Sequence, residues 1–321
     1  MKLAFIIDQL DSIKTAKDSS YAMICEAIAR GYSIDVIYQH DIALINNTVT
    51  GFSRALTLSD TPQANGHWYH TGDLTPIPLR AFDAVLMRKD PPFDLEYVYS
   101  TYLLELAESQ GAYVINSPKA IRDHNEKLAI AQFAQFTAPT LVTSQPQLIR
   151  EFLNEHQDII LKPLDGMGGA SVFRVHSTDH NLSVIIETLT HYGTRTIMAQ
   201  RFIPEITQGD KRILLIAGEA VPYALARIPK PGETRGNLAA GGTGVAQPLS
   251  QRDREIAGSL GPELARRGLM LVGLDVIGDY LTEINVTSPT GMQEITRQTG
   301  FDVAAMMIDA IETAFKERRI D

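Results

Sequence analysis

Through the first 120 residues, short apolar β-branched runs alternate with amphipathic stretches of helical period. Runs at 3–7, 34–38, 84–87 and 113–115 read as strands. After Asp18, a plausible N-cap, Tyr21, Ile24 and Ile28 recur on one face of a helix that ends at Gly31. A second helix runs through 102–107 and is stopped by Gly111. Strands alternating with helices predict an α/β fold whose first domain is a doubly wound parallel sheet, covered on both faces. The polar, turn-rich segment 46–78 reads as irregular structure or an edge excursion. From about residue 121 the pattern changes to α+β elements. It predicts a helix at 126–136, a strand at 140–143, a helix at 147–156, then strands around a glycine-rich turn at 166–169. A helix–strand pair leads to Gln200. Strands at 212–216 and 221–227, a helix at 252–267, two further strands and a helix after Asp302 complete the chain. Three units follow from this reading, 1–121, 122–201 and 202–321.

Composition narrows the function classes. An apolar fraction of 44% in 321 residues suits a soluble protein with a sizeable core. A net charge of −9 argues against nucleic-acid binding, which needs a basic surface. Cys25 is the only cysteine, so no intrachain disulfide can form and a reducing, cytoplasmic location is expected. No apolar run approaches the length of a membrane span, and the first eight residues read as a strand rather than a signal peptide.

Three stretches carry chemistry. Residues 159–175 (IILKPLDGMGGASVFRV) deliver Lys162 on a strand, then Gly166, Gly168 and Gly169, then a second strand. Lysine supplies a point charge, and glycine lets backbone N–H groups approach phosphate oxygens closely. A plain hairpin turn would read the same way. Neither a Walker A loop nor a Rossmann fingerprint is present. Second, GLDVIGDYLTEIN at 273–285 places Asp275, Glu283 and Asn285 around a turn at Gly278-Asp279, a density of oxygen ligands that suits Mg²⁺. Glu283 and Asn285 share a strand face. Asp275 joins them only through a three-residue loop, because a two-residue turn would pair it with Thr282, so the metal reading predicts the longer loop. Third, residues 228–244 form a glycine-rich loop flanked by Arg227 and carrying Arg235, which reads as a linker or an active-site lid. Arg212 opens an apolar strand where a guanidinium can meet phosphate or carboxylate, or form an ordinary surface pair. Arg88 follows a strand at the carboxyl end, where open α/β sheets bind ligands. Lys127 reads as a solvated residue near a helix start. His67 and His70 lack companion cysteines and argue against zinc.

Together, Lys127, Lys162, the glycine loop, the 275/283/285 set and the lid resemble the ATP-grasp superfamily. The strings KDSSYAM, LMRKDPPFD, NEKL, GDKRILLI and RIPKPGETRGNLAAGG, with the two longer motifs, resemble the bacterial glutathione synthetases over nearly the whole chain. That resemblance implies an N-terminal substrate domain followed by two ATP-grasp subdomains. It also implies ligation of γ-glutamylcysteine to glycine, with ATP and Mg²⁺ (or Mn²⁺) and an acyl-phosphate intermediate. Lys127, Lys162, Asp165 and the amides of Gly166, Met167, Gly168 and Gly169 would hold the phosphates. Gln200, Arg201, Phe202 and Ile203 would hold adenine, and Asp210 would lie near the ribose or phosphates. Arg212, with Arg235, Lys162 and Asn285, would stabilise the reacting groups. Thr287, Ser288 and Thr290 would line the glycine pocket, and Ser19, Ser20, Arg88 and Arg227 would serve the substrates. Other ATP-grasp carboxylate–amine ligases, such as D-alanine–D-alanine ligases, would use the same ATP machinery, and a nucleotide-binding module without turnover would share the fold. A homotetramer is implied, without nucleic-acid or membrane partners. Thr243 departs from the pattern, standing where an arginine is expected after the paired glycines.

Overall fold

The computed structural model describes residues 1–59, 68–233, 235–236 and 241–318. The first sheet holds β1 (Lys2–Ile7), β2 (Ser33–Tyr38), β3 (Ile42–Ile45), β4 (Thr48–Leu58), β5 (Tyr69–Thr71), β6 (Thr75–Pro78), β7 (Ala84–Met87) and β8 (Val114–Ile115). Strands β2, β1, β7 and β8 lie side by side and parallel, as the alternation of elements requires. The two faces of β1 divide by residue parity. Leu3, Phe5 and Ile7 join one core with Met23 and Ile24 of α1 (Ser19–Ala29), and Ala4 and Ile6 join the other with Tyr97 and Leu104 of α2 (Leu95–Ser109). Asp18 caps α1 by accepting from the Tyr21 N–H at 2.8 Å. In its described residues, the polar segment 46–78 is an edge excursion rather than irregular. The 11-residue β4 pairs antiparallel with β2 and carries β3, β5 and β6.

Past the short α3 (Pro118–Asp123), the segment expected to be an α-helix at 126–136 is a 3₁₀ run over Leu128–Phe136, broken at Phe133. A second sheet follows, antiparallel in the order β11 (Phe173–His176), β10 (Asp158–Pro163), β12 (Ile197–Arg201), β9 (Thr140–Thr143). Helices α4 (Pro146–His156) and α5 (Leu182–Thr190) cover one face, where Ile159 and Leu161 of β10 pack on Ile149, Leu153 and Ile186. The opposite face of β10, with Ile160 and Lys162, is left for the cleft.

The third sheet is β15 (Thr243–Pro248), β14 (Glu219–Ile228), β13 (Asp210–Ile216), β16 (Leu271–Ile277) and β17 (Tyr280–Asn285), all antiparallel. Helices α6 (Gln251–Arg266), α7 (Met292–Thr299) and α8 (Val303–Arg318) complete the chain. Helix α8 returns to the first unit: Arg30 binds Asp309 at 2.6 Å and Tyr32 binds Glu312 at 2.6 Å. The first and third sheets are further tied by Asn116, which donates to the carbonyls of Leu271 and Val286 at 2.8 Å and accepts from the Leu271 N–H at 2.9 Å. Among the described residues no helix is long and apolar enough to cross a membrane.

Candidate active site

A cleft of about 360 Å³ lies between the second and third sheets and gathers most of the residues marked in the sequence. Alternation explains the gathering. On β10, Ile160 and Lys162 face the cleft. Asp210 and Arg212 do so on β13, Leu225 and Arg227 on β14, and Asp275 and Ile277 on β16.

The β16–β17 hairpin corrects the expected loop. Ile277 pairs with Tyr280, so the turn is the two-residue Gly278-Asp279, and Val276 pairs with Leu281. A bulge at Thr282 then shifts the register, and Asp275 pairs with Glu283 after all. Thr282 donates to the Asp275 carbonyl at 3.1 Å from inside the bulge. The shared face is reached through an extra residue in the strand rather than in the turn. Gly273 is required here for a different reason. A Cβ would sit 2.8 Å from Pro289 Cβ and 2.9 Å from Arg212 Cδ, so the arginine lies flat against a bare backbone.

Asp275 is 2% exposed and both its oxygens are engaged. Arg212 Nη2 donates to Oδ2 at 3.1 Å and Arg212 Nε to Oδ1, while Arg227 Nη2 lies 2.9 Å from Oδ2. Burial opposes the charge, yet the two guanidinium groups hold this carboxyl well below the usual carboxylate range. Arg227 also binds Asp210, whose Oδ1 is buried without a partner. Burial pushes the Asp210 proton up, against the pull of Arg227. Across the cleft, Lys127, just before the 3₁₀ run, donates to the Gly166 carbonyl at 2.6 Å and so anchors the glycine loop; it is not solvated. Gly168 and Gly169 take φ of 62° and 78°, which favours glycine. Lys127 Nζ and Lys162 Nζ stand 3.6 and 3.8 Å from Glu283 Oε1. Burial lowers the proton affinity of Lys162.

Other expected residues lie elsewhere or are differently employed. Asp165 is exposed and paired with Arg195, away from the cleft lining. Ser19, Ser20 and Arg88 are buried and do not line the cleft. Arg88 spends its donors on Ser20 Oγ at 3.1 Å, the Thr287 carbonyl at 3.4 Å and the Pro289 carbonyl at 3.0 Å, so it braces the segment after β17. Gln200, Arg201, Phe202 and Ile203 do line the cleft. The Arg201 and Phe202 amides are already spent on the carbonyls of Pro139 and Asp158, each at 3.0 Å. Arg235 reaches the lining and pairs with Glu233 at 3.2 Å. Residues 234 and 237–240 of the expected lid, and His67, lie outside the described residues. Thr243 begins β15, opposite Ile228. Glu126, not marked as a site residue, lines the cleft and accepts from Thr287 Oγ1 at 3.1 Å. Its only signal in the sequence was its place beside Lys127.

Family models match both parts of the chain: the N-terminal domain of prokaryotic glutathione synthetase over residues 1–122, and its ATP-grasp domain over 126–300. The chain belongs to the prokaryotic glutathione synthetase family. A glutathione synthetase of Nitrosomonas europaea is 72% identical over 312 residues, 97% of this chain and 98% of the relative. One of Ralstonia nicotianae is 61% identical over 314 residues, 98% and 96% of the two chains. The fold is also that of the ATP-grasp ligase PsnB, solved with a minimal precursor, Mg and ADP, at a TM-score of 0.61 and 18% identity, covering 98% of each chain.

The synthetase cleft is crowded with carboxylates. Burial, and then Glu283, hold the Glu126 proton up to about 7. Among the described residues no three His, Cys, Asp or Glu side chains form a ready metal cage. The donor set still fits a hard cation, since Glu283 and Asn285 share a face and Asp210 keeps an unpartnered oxygen beside them in the lining. A pH dependence follows. Acids whose protons are held higher in the folded chain favour folding below their unfolded value, near 4, and that advantage is lost as pH rises through about 7. Glu126, Asp210 and Glu108 (also raised to about 7 by burial) act in this sense. His124, whose affinity for a proton burial lowers, offsets part of it, and Asp275 stays ionised throughout. Urea titrations of the ligand-free protein are expected to show stability falling on the order of 2 kcal/mol from about pH 5 to about pH 8. A rise over that window would contradict the assignment.

Proposed function

We propose that this chain is an ATP-dependent ligase that makes glutathione, with the reaction carried out in the cleft between the two antiparallel sheets. ATP phosphorylates the terminal carboxylate of γ-glutamylcysteine, glycine gives up an ammonium proton and its free amine attacks the acyl carbon, the C–O bond to phosphate breaks, and glutathione, ADP, phosphate and protons leave. The observation that carries this reading is the convergence of Lys127, Lys162, Arg212 and the glycine loop on one cleft, in a chain that the family models match over residues 1–122 and 126–300.

The residues work by position and charge, since phosphoryl transfer asks little covalent chemistry of a protein. Lys127 and Lys162 neutralise the phosphates while the backbone of Gly166–Gly169 closes over them. Lys127 fixes that loop through the Gly166 carbonyl. Ile160, Ile203 and Ile277 offer apolar surface for the base, and the Ile203 amide pairs with it, because the amides of the two residues before it are committed. Asp275 aims Arg212 so that its remaining Nη1 side meets the acyl phosphate and the tetrahedral intermediate. Asp275, Glu283 and Asn285 would hold Mg²⁺, or Mn²⁺ in its place, with Asp275 sharing oxygens that the arginines already engage. When bound, the ion would supply positive charge that offsets the negative charge of the phosphates. Arg235 completes the charge from the loop side. In the same reading the enzyme is cytoplasmic, acts on small molecules and assembles as a homo-oligomer.

The test is ADP release with γ-glutamylcysteine plus glycine, compared with D-alanine alone. Dipeptide-dependent ADP is expected. Turnover on D-alanine alone would shift the assignment to a different carboxylate–amine ligase.

A further inference from the structure

Two hydroxyl residues that follow β17 do not offer hydroxyl protons to the cleft. Thr287 Oγ1 donates to Glu126 Oε1 at 3.1 Å, and Ser288 Oγ donates to an Asp90 oxygen. A hydroxyl that has given its proton to a carboxylate can only accept from anything else. The nearby carbonyls of Thr287 and Pro289 are taken by Arg88. This end of the cleft therefore presents carboxylate and hydroxyl acceptors, which suits a ligand rich in donors and positively charged. Both substrates of the proposed reaction carry an ammonium group.

We infer that Glu126 receives the ammonium group of the amine acceptor and sets the selectivity for it. The inference rests on the ligase reading given above. Glu126 fits the acceptor better than Asp90 does. It belongs to the segment that carries Lys127, and its carbonyl accepts from the Ile284 N–H at 2.8 Å, which ties it to β17 between Glu283 and Asn285. An acceptor held there lies beside the phosphates, where the acyl phosphate forms. Asp90 lies at the rim of the cleft, in the loop that follows β7, with Asp8 accepting from its amide at 2.9 Å. Asn125 fixes the Glu126 segment from the other side, accepting from the Lys127 and Leu128 amides at 3.2 and 2.9 Å. The carboxylate is thus held from three directions: Thr287 at its oxygen, β17 at its carbonyl and Asn125 through the following turn.

Glu126→Gln is the discriminating variant. It keeps the shape and can still accept from Thr287, but loses the negative charge. Steady-state kinetics are expected to show the KM for glycine rising at least about tenfold, the loss typical of a charge-assisted hydrogen bond. The KM values for ATP and γ-glutamylcysteine and the half-saturating Mg²⁺ concentration should stay within about twofold, and kcat at saturating glycine within about threefold. Glu126→Asp, with the charge kept on a shorter arm, should fall between the two, and it carries the test if the glutamine variant does not fold. A glycine KM unchanged within about twofold overturns the inference. So does a parallel rise in all three KM values, which marks a merely structural role, or a shifted Mg²⁺ requirement, which makes Glu126 a metal ligand. If the ligase reading itself were wrong, the unaltered protein would show no dipeptide-dependent ADP release, a result separate from any of these.

Discussion

Lys162→Met is expected to give a protein that is more stable than the original and nearly inactive. Lys162 is 6% exposed, and among the described residues its ammonium has only a carbonyl, Thr282 O at 3.5 Å, and Glu283 Oε1 at 3.8 Å. Neither contact compensates fully for removing a charge from water, which is why burial lowers its hold on the proton. Methionine has nearly the same length and shape, leaves no cavity, and needs no desolvated charge. Glu283 does not lose its only cation, since Lys127 stands 3.6 Å away and the carboxylate is partly solvated. The unfolding free energy from urea titration should therefore rise by about 1 kcal/mol. Turnover should fall about a hundredfold or more, close to 3 kcal/mol, if the charge stabilises the transferring phosphoryl group. ADP release and equilibrium unfolding on the same preparation check both halves. A variant that turned over normally would remove Lys162 from the phosphate site, and one that was destabilised would show that the ammonium is well compensated.

That trade between stability and activity is the kind of feature a sequence exposes well. A lysine on an apolar strand ahead of a glycine turn is locally inconsistent, and such inconsistency marks function. The parallel sheet was legible for a related reason: β1, β2 and β7 are short, mostly apolar runs. Edge strands were not, because β4 and β15 lie at or near sheet margins and carry polar and glycine residues that read as loop. The 3₁₀ run at Leu128–Phe136 has helical composition and is set by packing on β17. The metal hairpin was misjudged in its turn but not in its face, since a bulge leaves no mark in composition. Arg88 and Asp165 do not line the cleft, for a common reason. Sequence order brings a residue to the mouth of a site, but long-range partners decide whether its side chain turns in, and here Pro289 and Arg195 turn them away. Glu126 was passed over because an acid beside a lysine at a helix start is ordinary until Thr287 is found against it.

Removing the Asp275 carboxylate should cost more stability than any other single change in the cleft, about 4 kcal/mol for Asp275→Ala. Two guanidinium groups, 7% and 6% exposed, converge on it. Arg227 would keep Asp210, but Arg212 would be left with only the Thr290 carbonyl at 3.4 Å. An unpaired buried guanidinium cannot lose its charge near neutral pH, so the structure must open to hydrate it. The loss should be largely repaired in Asp275→Ala/Arg212→Met, where the stranded charge is gone, and a double-mutant cycle on urea unfolding measures the coupling. Acid titration gives an independent check. Because the carboxyl is held below its unfolded value, its contribution is present above about pH 4 and is lost as pH falls toward the folded value. The alanine variant should therefore lack part of the acid-side drop seen in the original. Additive single losses in the cycle would mean that Asp275 and Arg212 fold independently, and the orientation of Arg212 would then need another cause.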